Sequence, residues 1–238
     1  MKGREVEQAP AQAAMRKGAE GAGGVITAQP ESLRTLLEKP IDAIDAQAKA
    51  SYRAIDKASG TDFKVLNEKL INTEFQLRQL TDTAEDSAKE TNLMQSRQGL
   101  IDKIAAAKQQ AIDNGVDPAL LDKADAQFKQ ARALEEVETK VFKNPNIVRG
   151  NAAMKTPETV NVDSAVKTLQ KLQDNTKYGG SRLEQALGKE QAQALLNDLY
   201  SAQRQGVKAM TRQQWATRIA KVVAGGGAGY EILKGLSR

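Results

Sequence analysis

The chain has 238 residues and a formal net charge of +5, and it contains neither cysteine nor histidine. These absences exclude disulfides, thiolate nucleophiles, Cys/His metal sites and imidazole acid–base catalysis. Aromatic residues make up only 4% of the chain, and the 40% hydrophobic fraction is rich in alanine. The composition therefore favours long helices packed in thin layers, in a protein that is not an enzyme and needs no cofactor, metal or small-molecule substrate.

The N-terminal residues 1–30 are rich in Ala, Gly, Gln and Pro, which predicts a flexible tail. They lack the apolar stretch of a signal peptide, and no run of 18 apolar residues follows in the chain. We therefore expect a cytoplasmic or virion-associated protein without an ordinary transmembrane helix.

Residues 31–143 carry the pattern of a long-helix bundle or coiled-coil-like domain. A first helix is predicted from Pro40 to Gly60, a usual helix stop. A second is predicted over 61–113, with a seven-residue apolar repeat that is poor in the middle and a possible break near 82–92. Asp117 followed by Pro118 predicts the start of a third helix, which ends near Phe142 and lies antiparallel to the second.

Residues 144–161 contain two prolines and four asparagines and predict an irregular linker. Beyond it we expect a smaller C-terminal helical unit over 162–238, with a short helix over 162–175. Ser181 and Glu184 have the spacing of a capping box before a brief helix that stops at Gly188. A further helix is predicted from Lys189 to about residue 224. The predicted fold class is all-α: an elongated antiparallel hairpin or three-helix bundle plus this smaller unit.

Two possible sites of chemistry have simpler explanations. The acidic pairs Glu135/Glu136 and Asp122/Asp125 are expected on solvated helix faces, because paired-acid catalysis needs a shaped cleft. Residues 178–181 (YGGS) lack the G-x-x-x-x-G-K-[ST] pattern of a phosphate-binding loop, so a turn plus a capping box accounts for them.

The C-terminal end, residues 200–238, departs from the rest of the chain because it has seven basic residues and one acid. Three interpretations remain open: a solvated surface, contact with nucleic acid phosphates, or contact with an anionic membrane. The predicted membrane or nucleic-acid contacts are Arg204, Lys208, Arg212, Trp215, Arg218 and Lys221. Small residues at four-residue spacing predict close helix contact at Ala220, Ala224, Gly225, Ala228 and Gly229.

Three segments of the last third, TKYGGSRLEQALG (176–188), RQGVKAM (204–210) and AGGGAGYEILKGL (224–236), resemble the C-terminal parts of helical bacterial and phage-like proteins of the virion or DNA-ejection type. The resemblance implies a phage or mobile-element protein, and it assigns no functional residue.

The leading hypothesis is a non-enzymatic structural or interaction protein that assembles through helix–helix contacts, with a protein partner or with itself, in a phage or prophage particle. One alternative is a membrane-active ejection or effector-type protein that uses the basic C-terminal end. The other is a non-specific DNA-binding protein.

Overall fold

The computed structural model describes residues 32–80, 84–151 and 156–223. Of these residues 78% are helical, in eight α-helices and two short 3₁₀ and π-helical turns, and a small three-stranded sheet accompanies them. The fold is thus mainly all-α, as predicted, but the sheet was not expected. Contacts divide the chain into Met1–Glu31 and Ser32–Arg238. The predicted flexible tail lies outside the described residues.

The elements follow one another with short connections. A 3₁₀ turn at Leu33–Thr35 precedes α1, and a π-helical turn at Glu138–Phe142 follows α4. The α-helices are α1 (Glu38–Ser59), α2 (Phe63–Gln79), α3 (Ala84–Asp113), α4 (Pro118–Val137), α5 (Val162–Asp174), α6 (Arg182–Leu187), α7 (Lys189–Arg204) and α8 (Arg212–Val223). The strands are β1 (Val148–Asn151), β2 (Thr156–Asn161) and β3 (Ala209–Thr211).

Local capping sets several helix ends where the sequence predicts them. Gly60 ends α1 in the left-handed conformation, with φ of 66°. The carboxylate of Asp62 accepts a hydrogen bond from the Val65 amide and starts α2. Asp117 does the same for α4, where Pro118 occupies the first helical position. These boundaries depend on neighbouring residues, so sequence alone could locate them.

Helices α1 and α4 form an antiparallel pair that runs through the whole core. Near one end Arg132 Nη2 lies 3.0 Å from Asp45 Oδ1, and farther along the Tyr52 hydroxyl donates to Asp125 Oδ1 at 2.8 Å. The pair contributes buried residues to both hydrophobic clusters of the described chain. It therefore joins the two clusters into one body.

Helices α2 and α3 form a hairpin where helix was predicted over 61–113 with a break near 82–92. Helix α2 ends at Gln79, Leu80 is extended, and α3 begins at Ala84. The ion pair between Glu74 and Arg97, at 3.0 Å, ties the two helices side by side. The connecting residues 81–83 lie outside the described part. The interval between the end of α2 and the start of α3 overlaps the start of the predicted 82–92 window.

The prediction that residues 144–161 are irregular is wrong, because two β-strands occupy much of this segment. Strands β1 and β2 pair antiparallel with Val148 opposite Val160, and β3 adds to β2 with Met210 opposite Val160. These three side chains are buried and fix the sheet against the helices. Short strands of this kind carry too few residues for an alternating pattern to be recognised.

The larger hydrophobic cluster includes residues from both sides of the 144–161 segment, such as Leu134 before it and Leu199 after it. The predicted division into a long-helix domain and a separate C-terminal unit does not describe this core. The helix predicted from Lys189 to about 224 is also interrupted: α7 ends at Arg204, and β3 precedes α8. Gly206, with φ of 80°, allows the turn between them.

Candidate functional site

The exposed large hydrophobic residues of the described chain all lie on the α2–α3 hairpin. They are Val65, Phe75 and Met94, with exposed fractions of 37%, 41% and 39%. The ammonium group of Lys140 lies 5.8 Å from the ring centroid of Phe75, yet much of that ring stays open to solvent. Exposed apolar side chains mark an interaction surface when they form a contiguous patch.

The first half of α3 packs thinly. From residue 86 to 103 no residue is buried, although this stretch contains Leu93, Leu100 and Ile101, which are only half-buried. The second half differs, because Ile104, Ala107 and Ala111 enter the core. The hairpin therefore extends beyond the part of the core that supports it.

The predicted basic contacts near the C-terminal end divide into exposed and engaged side chains. Arg204 and Lys208 are exposed and follow one another around the turn after α7. The side chain of Arg212 is partly buried, and its Nε donates to the Ser32 carbonyl at 3.2 Å. Arg212 therefore ties the start of α8 to the first described residue.

Arg218 and Lys221 line a shallow depression of about 470 Å³ beside α8. Arg218 forms an ion pair with Asp198, which neutralises much of its charge, whereas Lys221 is exposed. Of the predicted small-residue helix contacts, Ala220 is half-buried on α8. The other four, Ala224, Gly225, Ala228 and Gly229, lie outside the described residues.

Trp215 is not a surface contact, and that part of the prediction is wrong. Its side chain is fully buried, with its ring 5.3 Å from that of Phe142 in an edge-to-face arrangement. Ile219 is buried on the same face of α8. This apolar face of α8 packs against the protein core.

A cluster of buried charge lies where the ends of α2 and α4 meet the start of α6. Glu136 Oε2 accepts from Arg182 Nε at 2.8 Å, and Glu136 Oε1 lies 2.7 Å from the Lys140 ammonium. Arg78 Nη2 lies 3.8 Å from Glu136 Oε2, too far for a hydrogen bond. The side chains of Arg78 and Arg182 are only 3% and 4% exposed, so two guanidinium groups are buried beside the Glu136 carboxylate.

The pKa shifts of this cluster follow from its burial and its excess of cations. Burial lowers the pKa of Arg78, and the neighbouring Arg182 lowers it further, while Glu136 and Glu74 act in the opposite direction. Burial alone would raise the pKa of Glu136, but hydrogen bonds from Lys140 and Arg182 outweigh it, so this pKa lies below its ordinary value. Glu136 is therefore held as a carboxylate.

The turn over residues 178–181 closes over this cluster. Arg78 Nη1 donates to the Tyr178 carbonyl at 2.7 Å, and the Ser181 hydroxyl accepts from the Glu184 amide at 3.2 Å. The predicted cap at Ser181 is thus confirmed. Gly179 has a φ of 106°, a left-handed conformation that favours glycine, and a Cβ there would displace the end of the Glu74 side chain.

The acidic pairs expected on solvated faces are each split between the core and the surface. Glu135 is 40% exposed, but the Glu136 side chain is 10% exposed. Asp122 is 82% exposed, whereas Asp125 is 11% exposed and accepts from the buried Tyr52 hydroxyl. Burial, with the Asp125 charge and hydrogen bond, raises the pKa of that tyrosine far above its ordinary value.

Sequence reasoning missed the charge cluster because Arg78, Glu136 and Arg182 are separated by about 50 residues each and come from three different helices. One signal was present: Arg182 directly follows the capping serine, where acidic rather than basic residues are favoured. Within the described ranges, no group of three or more acidic residues could hold a metal ion. The same residues include no helix that is both long and apolar enough to cross a bilayer.

Comparison of the chain with protein-family models, with curated proteins and with solved structures gives no match.

Proposed function

We propose that this protein is a non-enzymatic structural or interaction protein whose copies associate through the α2–α3 hairpin. The observation that supports it is that the exposed large hydrophobics of the described chain, Val65, Phe75 and Met94, all lie on this hairpin. Burying such side chains against a partner would gain roughly 25 cal/mol per Å² of apolar surface.

The length of α3 supports a helical partner. Its 30 residues correspond to about 45 Å, and its first half gains little burial from its own chain. Isolated helices gain little stability from propensity alone, so a thinly packed helix is stabilised by a neighbour. A second hairpin laid against this one would complete a four-helix bundle.

Charge on this stretch does not oppose a second copy as that partner. Between residues 86 and 103 the acidic and basic side chains balance, so two copies in opposite orientation attract as often as they repel. A two-fold arrangement uses the same surface twice and therefore needs only one such patch. The charged residues are Asp86, Glu90 and Asp102 against Lys89, Arg97 and Lys103.

We propose that the protein belongs to a phage or prophage particle. This proposal depends on the resemblance between the last third of the chain and phage-like proteins. Genes for capsid or tail proteins beside this gene would support that setting, and a neighbourhood of metabolic genes would count against it.

Light scattering after size exclusion tests the surface directly. We expect the wild-type chain to exceed its monomer mass of 25.7 kDa and a Phe75→Glu/Met94→Glu variant to return to it. Glutamates in place of the exposed Gln193 and Gln205 add the same two charges outside the hairpin, and this control should stay associated. If the two variants behave alike, the hairpin is not the interface.

A second candidate function is contact with an anionic polymer or membrane, favoured by the exposed cations Arg204, Lys208 and Lys221. Binding of this kind weakens steeply as salt rises, because counterions are released from phosphates. Duplex DNA and anionic vesicles, each titrated at two salt concentrations, distinguish the two partners. Absence of binding at low salt in both titrations would refute this candidate.

A further inference from the structure

A small cavity adjoins the buried charge cluster. It has a volume of about 180 Å³ and lies among the ends of α2, α4 and α5 and the start of α6. Four basic side chains line it, together with a single acid. They are Arg78, Lys140, Lys171 and Arg182, with Glu136.

The single acid of the cavity is already engaged. Each oxygen of Glu136 has a close cation: Lys140 on Oε1 at 2.7 Å and Arg182 on Oε2 at 2.8 Å. Arg78 and Lys171 therefore face the cavity with no carboxylate of their own among its lining residues. The lining has a net positive charge even with Glu136 fully ionised.

The strongest indication is the guanidinium of Arg78. The Arg78 side chain is only 3% exposed. Its Nη2 has no hydrogen-bond partner in the part of the chain that the structure describes. Its Nη1 is fixed by the Tyr178 carbonyl at 2.7 Å, which restricts the group. A buried donor without an acceptor costs free energy, and an anion in the cavity would remove that cost.

The cavity volume fits a small oxyanion. A water molecule occupies about 30 Å³ in the liquid, so a space of about 180 Å³ holds several waters or one tetrahedral anion with its residual hydration. Arginine binds phosphate and carboxylate oxygens through paired N–H donors, and lysine adds a mobile point charge. Lys171 is exposed at the edge of the cavity, where such a charge can reach an entering ligand.

We propose that this cavity binds a phosphate-sized oxyanion, either free inorganic phosphate or the phosphoryl group of a larger molecule. The proposal does not rest on self-association, because its evidence is the charge and burial of the cavity lining; one lining residue, Lys140, also lies 5.8 Å from the Phe75 ring of the hairpin. The ligand would hold α2, α5 and α6 together by neutralising the excess charge between them.

Isothermal titration of the full chain with inorganic phosphate, at ionic strength held constant with sodium chloride, tests the site. We expect one phosphate per chain. Lys171→Gln should weaken binding about tenfold, the effect of one lost charge-assisted hydrogen bond. Lys167→Gln removes an equally exposed lysine one turn away on α5, outside the cavity lining, and should bind as the wild type does.

Thermal unfolding with and without phosphate tests the buried guanidinium of Arg78. Phosphate should raise the melting temperature of the wild type, since a ligand that binds only the folded state stabilises it. Arg78→Gln should abolish that increase whatever its own melting temperature. A parallel titration with glycerol phosphate distinguishes the sources: binding of both probes indicates a phosphoryl group on a larger molecule, and binding of phosphate alone indicates the free ion.

Two results would overturn the proposal. One is the absence of both heat and stabilisation with millimolar phosphate. The other is binding that Lys171→Gln and Lys167→Gln weaken equally, because the anion would then bind elsewhere on the basic surface.

Discussion

Replacing Trp215 by alanine tests whether the basic C-terminal region of the described chain is surface or core. Trp215 is fully buried and contacts Phe142 ring to edge at 5.3 Å between centroids. Truncating a buried tryptophan to alanine costs about 3–5 kcal/mol, from lost burial and the cavity left behind. For a unit of this size each kcal/mol lowers the melting temperature by roughly 2–4 °C, so we expect a decrease of about 6–20 °C.

Thermal unfolding followed by circular dichroism provides the measurement, with two controls. Lys221→Ala, at an exposed position on the same helix, should change stability by less than about 0.5 kcal/mol. Trp215→Phe keeps an aromatic ring and removes the indole N–H, which has no hydrogen-bond partner among the described residues. Trp215→Phe should therefore lower the melting temperature less than Trp215→Ala does. A Trp215→Ala variant that melts with the wild type but loses lipid or nucleic-acid binding would refute this reasoning.

Three further predictions concern single buried features. Gly150→Ala should destabilise the chain by about 1–3 kcal/mol, because φ is 92° and a Cβ would meet the Pro157 carbonyl; an unchanged denaturation midpoint would contradict this. Burial raises the pKa of Glu138 above the value of 4.5 that it has in the unfolded chain. The protonated carboxyl therefore contributes its full stability below pH 4.5, and this contribution is lost as the pH rises through the pKa of the folded state. The stability of Glu138→Gln relative to wild type, from urea unfolding, should therefore increase with pH above about 4.5; a decrease would contradict the sign. Asp125→Ala should cost about 1–3 kcal/mol for each buried donor left without an acceptor, and Asp122→Ala almost nothing; equal effects of the two would be inconsistent with the buried network.

The sequence predicts features that depend on neighbouring residues. Three predicted helix ends depend only on residues within one helical turn, and the structure has a helix end at each of them. They are Ser59 with Gly60, Asp117 with Pro118, and Ser181. Capping and the glycine stop need no tertiary information. The predominance of helix follows for the same reason, from composition and helix propensity.

The missed features depend on contacts between distant residues. Strand β3 has three residues, and Met210 alone is buried, so no alternating pattern could identify it. Two of the three cationic neighbours of Glu136, Arg78 and Arg182, are 58 and 46 positions away, so only Lys140, four residues on, appears in its local sequence. Helix periodicity places Trp215 and Ile219 on one face, but periodicity does not distinguish a face toward lipid from a face toward the core.

The mass of the wild-type chain as a function of concentration tests the central claim most directly. Sedimentation velocity over a wide concentration range should give a weight-average mass that rises from 25.7 kDa toward a multiple of it, and the rise should disappear in Phe75→Glu/Met94→Glu. A mass that stays at 25.7 kDa at every concentration would contradict association through the α2–α3 hairpin.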